Sequence, residues 1–235
     1  MAEVEGATYL AVVLLVQIAG RDFTTALFDV DGTLIDSNDA HTQAWVDALR
    51  EHDIPAEMSR IRPLIGKGGD KLLCEVAHLE DDSPLGKGIT QRKKRIFEQL
   101  LPRLTPTAGA RPLLEFLLAR GVTLVVATSA DDHERLQLLT QAGVDDLIQL
   151  NATKDDARES KPDPDIVQAA LARARARPDT AVMIGDTPYD IEAAGRAGLA
   201  TIALRCGGYW SDNDLRGAIA LHDDPAHLLA SFRGD

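Results

Sequence analysis

Short apolar runs rich in β-branched residues recur along the chain: TTALFDV (24–30), VTLVVAT (122–128), LIQL (147–150), AVMI (181–184) and ATIAL (200–204). Their hydrophobicity is nearly continuous rather than alternating, the pattern of strands buried on both faces of a parallel sheet. Between them lie helical patterns with recognisable ends. Residues 113–120 run into Gly121, 132–142 run into Gly143, 164–176 open on Pro164, and 188–197 open on Pro188 and stop at Gly198. Strands alternating with helices predict βαβ units with right-handed crossovers, and so an α/β fold built on a doubly wound parallel sheet.

The alternation breaks once, between Ile35 and Arg111, where one crossover helix would suffice. Residues 37–105 carry helical patterns of their own at 40–52, 70–77 and 89–101, which predicts an inserted α-helical subdomain. The core is then residues 23–36 together with 106–235, with turns or a hinge at 86–88 or 102–106. Residues 1–22 form an N-terminal extension. Its apolar stretch ATYLAVVLLVQIAG (7–20) is shorter than the roughly 20 residues of a spanning helix, and it follows Glu3 and Glu5 rather than the Lys or Arg of a signal peptide. An extra packed element or an upstream extension is expected there in preference to a secretion signal, and no membrane partner is expected.

At 235 residues the chain accommodates one large domain or a core carrying an insertion. The 45% hydrophobic and 26% charged content excludes wholesale disorder. With 25 basic and 37 acidic residues the net charge is −12, which repels polyanions, and 4% aromatics leave little for base stacking. Nucleic acid is therefore not expected as a partner, and a small anionic substrate would need locally placed cations. Cys74 and Cys206 show neither a disulfide framework nor zinc-ligand spacing, so the chain reads as cytoplasmic.

The segment FDVDGTLIDS (28–37) places Asp29 and Asp31 two residues apart at the end of the first run. On an extended strand both would face the same side, and their mutual repulsion has to be offset. Ligands of open α/β sheets bind outside the carboxyl ends of the strands. Thr128 and Ser129 close the second run, Lys161 follows the third in ESKPDPD, Asp186 closes the fourth in MIGDTPYD, and Asp190 lies four residues further on. Four carboxylates, two hydroxyls and one ammonium thus converge on one sheet edge, and carboxylate oxygens with open water positions suit Mg²⁺. Such a set fits phosphoryl chemistry. Asp29 would attack phosphorus to give an aspartyl phosphate, and Asp31 would protonate the leaving oxygen and then deprotonate water. Thr128 and the Ser129 amide would hold phosphoryl oxygens while Lys161 neutralises developing charge.

In order along the chain, DVDGT, the hydroxyl pair of ATSA, the Lys of SKPDPD and GDTPYD resemble the four motifs of the haloacid dehalogenase-like superfamily, covering roughly residues 24–204. The helices after GTLIDS resemble the helical cap of its phosphoglycolate phosphatase and β-phosphoglucomutase branch. The resemblance implies a Rossmann-like core with a mobile cap, Asp29 as nucleophile and Asp31 as acid/base. It implies Mg²⁺ held by the Asp29 side chain, the Asp31 backbone carbonyl and Asp186, with Asp190 supporting the metal or Lys161. True dehalogenases lack an acid at the position of Asp31, which favours phosphate chemistry; Ser129 stands where many members have Asn.

A small phosphorylated metabolite is the expected substrate, with phosphoglycolate foremost by resemblance, and the protein is expected as a monomer or homodimer. The rivals are a β-phosphoglucomutase-like phosphotransferase, a receiver-like signalling domain and a catalytically idle binding module. In IRPLIGKGGDKLL (61–73), Arg62, Lys67 and Lys71 surround a Gly-rich bend that is either a substrate-binding loop or a polar turn. QRKKRIF (91–97) is a local basic patch that either steers a phosphorylated substrate or, as the plainer reading, forms a solvated helix face; His41 reaches the site if its helix starts at the hinge, and otherwise it and His52 are surface or capping residues; Trp45, Tyr209 and Trp210 read first as packing residues, with GGYWSD after the fifth run as a candidate pocket edge.

Overall fold

The computed structural model describes residues 16–18 and 21–233. Most of the 7–20 stretch lies outside these residues; of its described part, β1 (Val16–Ile18) pairs antiparallel with β2 (Arg21–Phe23). The main sheet has six strands: β3 (Thr25–Phe28), β4 (Thr123–Ala127), β5 (Leu150–Ala152), β6 (Ala181–Gly185), β7 (Ala200–Leu204) and β8 (Ala220–His222). Their spatial order is β5-β4-β3-β6-β7-β8 and every pairing is parallel.

Alternate residues of each central strand feed opposite cores, as continuous hydrophobicity requires. Leu27, Val125 and Met183 pack with α7 (Asp165–Ala174) and α8 (Pro188–Arg196). Ala26, Phe28, Val126 and Ile184 belong to the core that includes α5 (Ala110–Leu118), α6 (Asp132–Ala142) and α9 (Pro225–Arg233). The same core continues into the helices inserted between β3 and β4, namely α1 (Asn38–Arg50), α2 (Met58–Ile61), α3 (Gly69–Ala77) and α4 (Pro84–Leu100). The two chain crossings to these helices are tied together, Asp36 N donating to Thr105 O at 2.9 Å and Thr107 N to Leu34 O at 3.1 Å. Among the described residues no helix is long and apolar enough to cross a membrane.

Several local expectations change. Residues 86–88 lie inside α4 rather than in a turn, because Ser83 caps the helix by accepting from Gly86 N at 3.1 Å and Pro84 occupies its first turn. Residues 147–150 do not form a strand throughout: Asp145–Leu147 is a 3₁₀ turn, and β5 begins at Leu150. Neither β8 nor α9 stands out from hydrophobic patterning, since β8 is three residues of intermediate exposure. At the start of α9, His227 N donates to Asp224 Oδ1 at 2.8 Å.

Leu27 is fully buried in the central strand, so Leu27→Ala should lower the unfolding free energy by about 2–5 kcal/mol in chemical denaturation. Leu136→Ala, at a position 49% exposed, should change it by less than about 0.5 kcal/mol.

Candidate active site

β3 delivers Asp29 while still in the ladder, its N–H donating to Ile184 O at 2.9 Å. The chain then turns sharply, with Leu34 N donating to Val30 O and Gly32 N to Ile35 O. This turn separates the two carboxylates that an extended strand would have aligned. Asp29 accepts from Lys161 Nζ at 2.7 Å, whereas Asp31 accepts from Ser37 Oγ at 2.5 Å and lies 2.8 Å from His41 Nε2.

Lys161 is fully buried and also donates to Asp190 Oδ1 at 2.7 Å. The second Asp190 oxygen is held by Thr187, through its N–H at 3.1 Å and its hydroxyl at 2.7 Å, in a capping box that opens α8. Asp186, just after β6, accepts from Thr33 Oγ1 at 3.2 Å and Asn38 Nδ2 at 2.9 Å. Two glycines make room for it: a Cβ at Gly32, whose φ is +71°, or at Gly207 would overlap the Asp186 carboxylate. At the end of β4, Thr128 accepts from Ala130 N at 3.1 Å, while Ser129 Oγ is buried with no hydrogen-bond partner among the described residues.

Oxygens of the buried Asp29, Asp186 and Asp190 lie within 4.8 Å of one another, and a single ammonium accompanies them. Burial pushes the Asp29 carboxyl up, the Lys161 charge opposes this, and Asp190, Asp186 and Asp31 push it further up. Burial and then the Asp190 charge push Asp186 up to about 7. A pocket of buried carboxylates with this excess of negative charge and all-oxygen donors fits a hard divalent cation. The Asp31 side chain is not part of this cluster. Burial pushes it up as well, but the His41 imidazole, the Ser37 hydroxyl and the Lys93 ammonium outweigh that and hold it at about 2.

A cavity of about 120 Å³ opens above Asp29 and Asp31, lined also by Thr128, Ser129, His41 and Trp45. Of the two readings of His41, the reach into the site holds and the surface or capping role does not: it is buried, lines the cavity beside Asp31 and stacks on Phe97 with ring centroids 3.8 Å apart. His52 keeps the capping role expected of it, lying in the turn after α1 with Nδ1 2.8 Å from Ala48 O in the last turn of that helix. The basic run is likewise not a uniformly solvated face. Lys93 is buried against Phe97, with Nζ 3.2 and 3.3 Å from the two Glu134 oxygens, and both residues line the cavity. No local signal singles out Glu134; Lys93 lies within the basic run QRKKRIF, and His41 lies only ten residues after Asp31 in the helix that follows the turn.

The Gly-rich bend splits in role. Lys67 lines the cavity and pairs with Glu75 at 2.6 Å. Arg62 lies outside the lining, bonded to Asp39 at 2.7 Å and to Gly207 O. Lys71 bonds to Ser160 O and Asp163, next to Lys161 in sequence rather than in the cavity. Trp45 is buried in the core and also faces the cavity, while Tyr209 is 46% exposed.

Asp186 has its folded value near 7 and an ordinary value of 3.8, so the metal-free fold binds the extra proton between those limits and loses stability as pH rises through them. Asp186→Asn should therefore raise the melting temperature of metal-free protein more at pH 7.5 than at pH 5, by roughly several degrees. Mg²⁺ should stabilise the wild type and not the variant, both read by thermal denaturation with and without chelator.

Residues 26–204 match the family described as haloacid dehalogenase-like hydrolase. The chain is similar to validoxylamine A 7'-phosphate phosphatase of Streptomyces hygroscopicus subsp. limoneus, 30% identical over 186 residues that cover 77% of this chain and 85% of that relative. It is also similar to phosphoglycolate phosphatase of Rhodospirillum rubrum, 29% identical over 211 residues that cover 86% and 88%. A hydrolase from Pseudomonas syringae, solved by crystallography, superposes with a TM-score of 0.83 at 31% identity, over 90% of this chain and 98% of that one. The fold and these relatives agree: the chain belongs to the haloacid dehalogenase-like hydrolases and is an enzyme of their phosphatase kind.

Proposed function

We propose that the protein is a Mg²⁺-dependent phosphomonoesterase that acts on a small phosphorylated metabolite through an aspartyl phosphate. The observation that carries this reading is the division of labour between the two acids: Asp29 fixed by Lys161 at the cavity floor, and Asp31 held separately by Ser37 and His41. Asp29, Asp186 and the Asp31 backbone carbonyl would hold the metal, which when bound screens the phosphate dianion from the attacking carboxylate. Asp190 acts through its ion pair with Lys161, since both its oxygens are already engaged.

An Asp29 oxygen attacks phosphorus as the bond to the leaving oxygen breaks, and the departing oxygen takes the proton shared by Asp31 and His41. Lys161, Thr128 and the Ser129 amide and hydroxyl meet the phosphoryl oxygens, where charge develops. Asp31, held ionised by its neighbours, then removes a proton from water. The hydroxide displaces Asp29 from phosphorus, so inorganic phosphate leaves and the carboxylate is restored. Residues 37–105 serve as a cap: Lys93–Glu134, Ser160–Asp70 and Tyr189–Pro63 contacts join them to the core, and a cap held over the cavity would limit the access of bulk water during turnover. Substrate choice rests with the groups that meet the leaving alcohol.

Phosphate release from para-nitrophenyl phosphate should require Mg²⁺, vanish with chelator and fall at least about 1000-fold in Asp29→Asn. Release that survives this substitution would overturn Asp29 as nucleophile. A phosphorylated Asp29 that water does not discharge would point to phosphotransfer instead.

A further inference from the structure

Lys161 answers two of the three clustered carboxylates, Asp29 and Asp190, and leaves the third. Asp186 is 2% exposed, and among the described residues its side chain receives hydrogen bonds only from neutral donors. Thr33 Oγ1 donates to one oxygen at 3.2 Å and Asn38 Nδ2 to the other at 2.9 Å. Neutral donors fix the direction of a carboxylate while leaving its charge for a cation, whereas a Lys or Arg in their place would neutralise it.

Asn38 is not explained by its place in the helix. It is the first residue of α1, a region where Asn ordinarily accepts from backbone N–H groups, yet Ser37 stands at the cap position and Asn38 Oδ1 has no partner among the described residues. The side chain is buried, and its surroundings decide which end faces which way: Nδ2 meets two acceptors, the Asp186 carboxylate and, at 3.4 Å, Gly207 O. Oδ1 is thus a buried orphan acceptor on the same amide that holds a metal-ligand carboxylate. Mg²⁺ held by carboxylates keeps several of its waters, and such a water can satisfy an acceptor of this kind. The backbone is shaped for the pair as well, since a Cβ at Gly32 would overlap both Asn38 Nδ2 and Asp186 Oδ2.

We propose that Asn38, which lies outside the strand-end motifs, is a positioning residue for the divalent cation: its Nδ2 aims Asp186 at the ion, and its Oδ1 accepts from water the ion retains. The inference rests on the Mg²⁺ site of the reading above and adds to it a group from the inserted helices. The ligand on β6's end is oriented from α1, on the far side of the chain crossing.

Calorimetric titration of Mg²⁺ without substrate tests this, with Mn²⁺ as a second probe. Asn38→Leu, close in volume and without polar atoms, should weaken Mg²⁺ binding at least about tenfold, as loss of a group that holds a metal ligand in place does. Asn38→Ser should weaken it in the same direction and carries the test where the apolar variant does not fold. With para-nitrophenyl phosphate the Mg²⁺ concentration for half-maximal rate should rise in parallel, while kcat at saturating Mg²⁺ stays within about threefold of wild type. Arg62→Met separates positioning from a loosened cap. It removes another contact from the inserted segment to Gly207 O together with a positive charge near Asp186, so Mg²⁺ affinity should be unchanged or tighter. Unchanged affinity in both Asn38 variants overturns the inference. So does weakening by Arg62→Met equal to that by Asn38→Leu, a kcat that saturating Mg²⁺ does not restore, or a wild type that binds neither ion. A wild type that binds Mg²⁺ and hydrolyses no ester overturns the hydrolase reading alone, and a tenfold loss in Asn38→Leu then still supports the assignment of Asn38.

Discussion

The arrangement of the site depends on a buried ammonium shared between two carboxylates. Lys161 reaches Asp29 and Asp190 at 2.7 Å each, in surroundings where all three side chains are almost wholly excluded from water. An isolated charge at such a depth would be prohibitive, and the pairing is what makes it tolerable. The pairing is nevertheless incomplete, because Asp186 adds a further acid to the same pocket. Geometry thus satisfies the hydrogen bonds of these three side chains while leaving the charge unbalanced, an imbalance that fits a divalent cation.

That constraint reaches outward through the fold. Adjacent parallel strands β3 and β6 bring Asp29 and Asp186 to the same edge, and the capping box at the start of α8 fixes Asp190 against Lys161. Gly32 and Gly207 are needed for space around Asp186, one of them in a backbone conformation that side chains resist. The tight turn after Asp29 then sends Asp31 into different company, among Ser37, His41 and Lys93. Two chemically similar acids two residues apart so acquire opposite behaviour, one pushed up and the other held near 2.

The inserted helices supply the other wall. Phe97 on α4 stacks on His41 of α1, and Lys93 on the same helix reaches across to Glu134 on α6. The apolar core runs without interruption from the sheet into these helices. The cavity wall therefore includes side chains from α1, α4 and α6, none of which contains a strand-end motif.

Much of this was legible in the sequence, for identifiable reasons. Strands buried on both faces need unbroken apolar runs, and ligands of such sheets sit at strand ends, so Asp29, Thr128, Lys161 and Asp186 could be placed at one edge from pattern alone. The α8 start was written in Thr187, Pro188 and Asp190, residues whose backbone preferences act within one turn. The boundary of α4 was misread because two glycines weigh against a helix that tertiary packing upholds. What the sequence determined was whatever depends on neighbours along the chain: periodicity, caps, turns and the chemical type of each strand-end residue. The burial of His41, the diversion of Arg62 to Gly207 and the meeting of Lys93 with Glu134, 41 positions apart, were decided only by the tertiary structure. Charge pairing and burial depend on which elements abut in space, and no local periodicity encodes that.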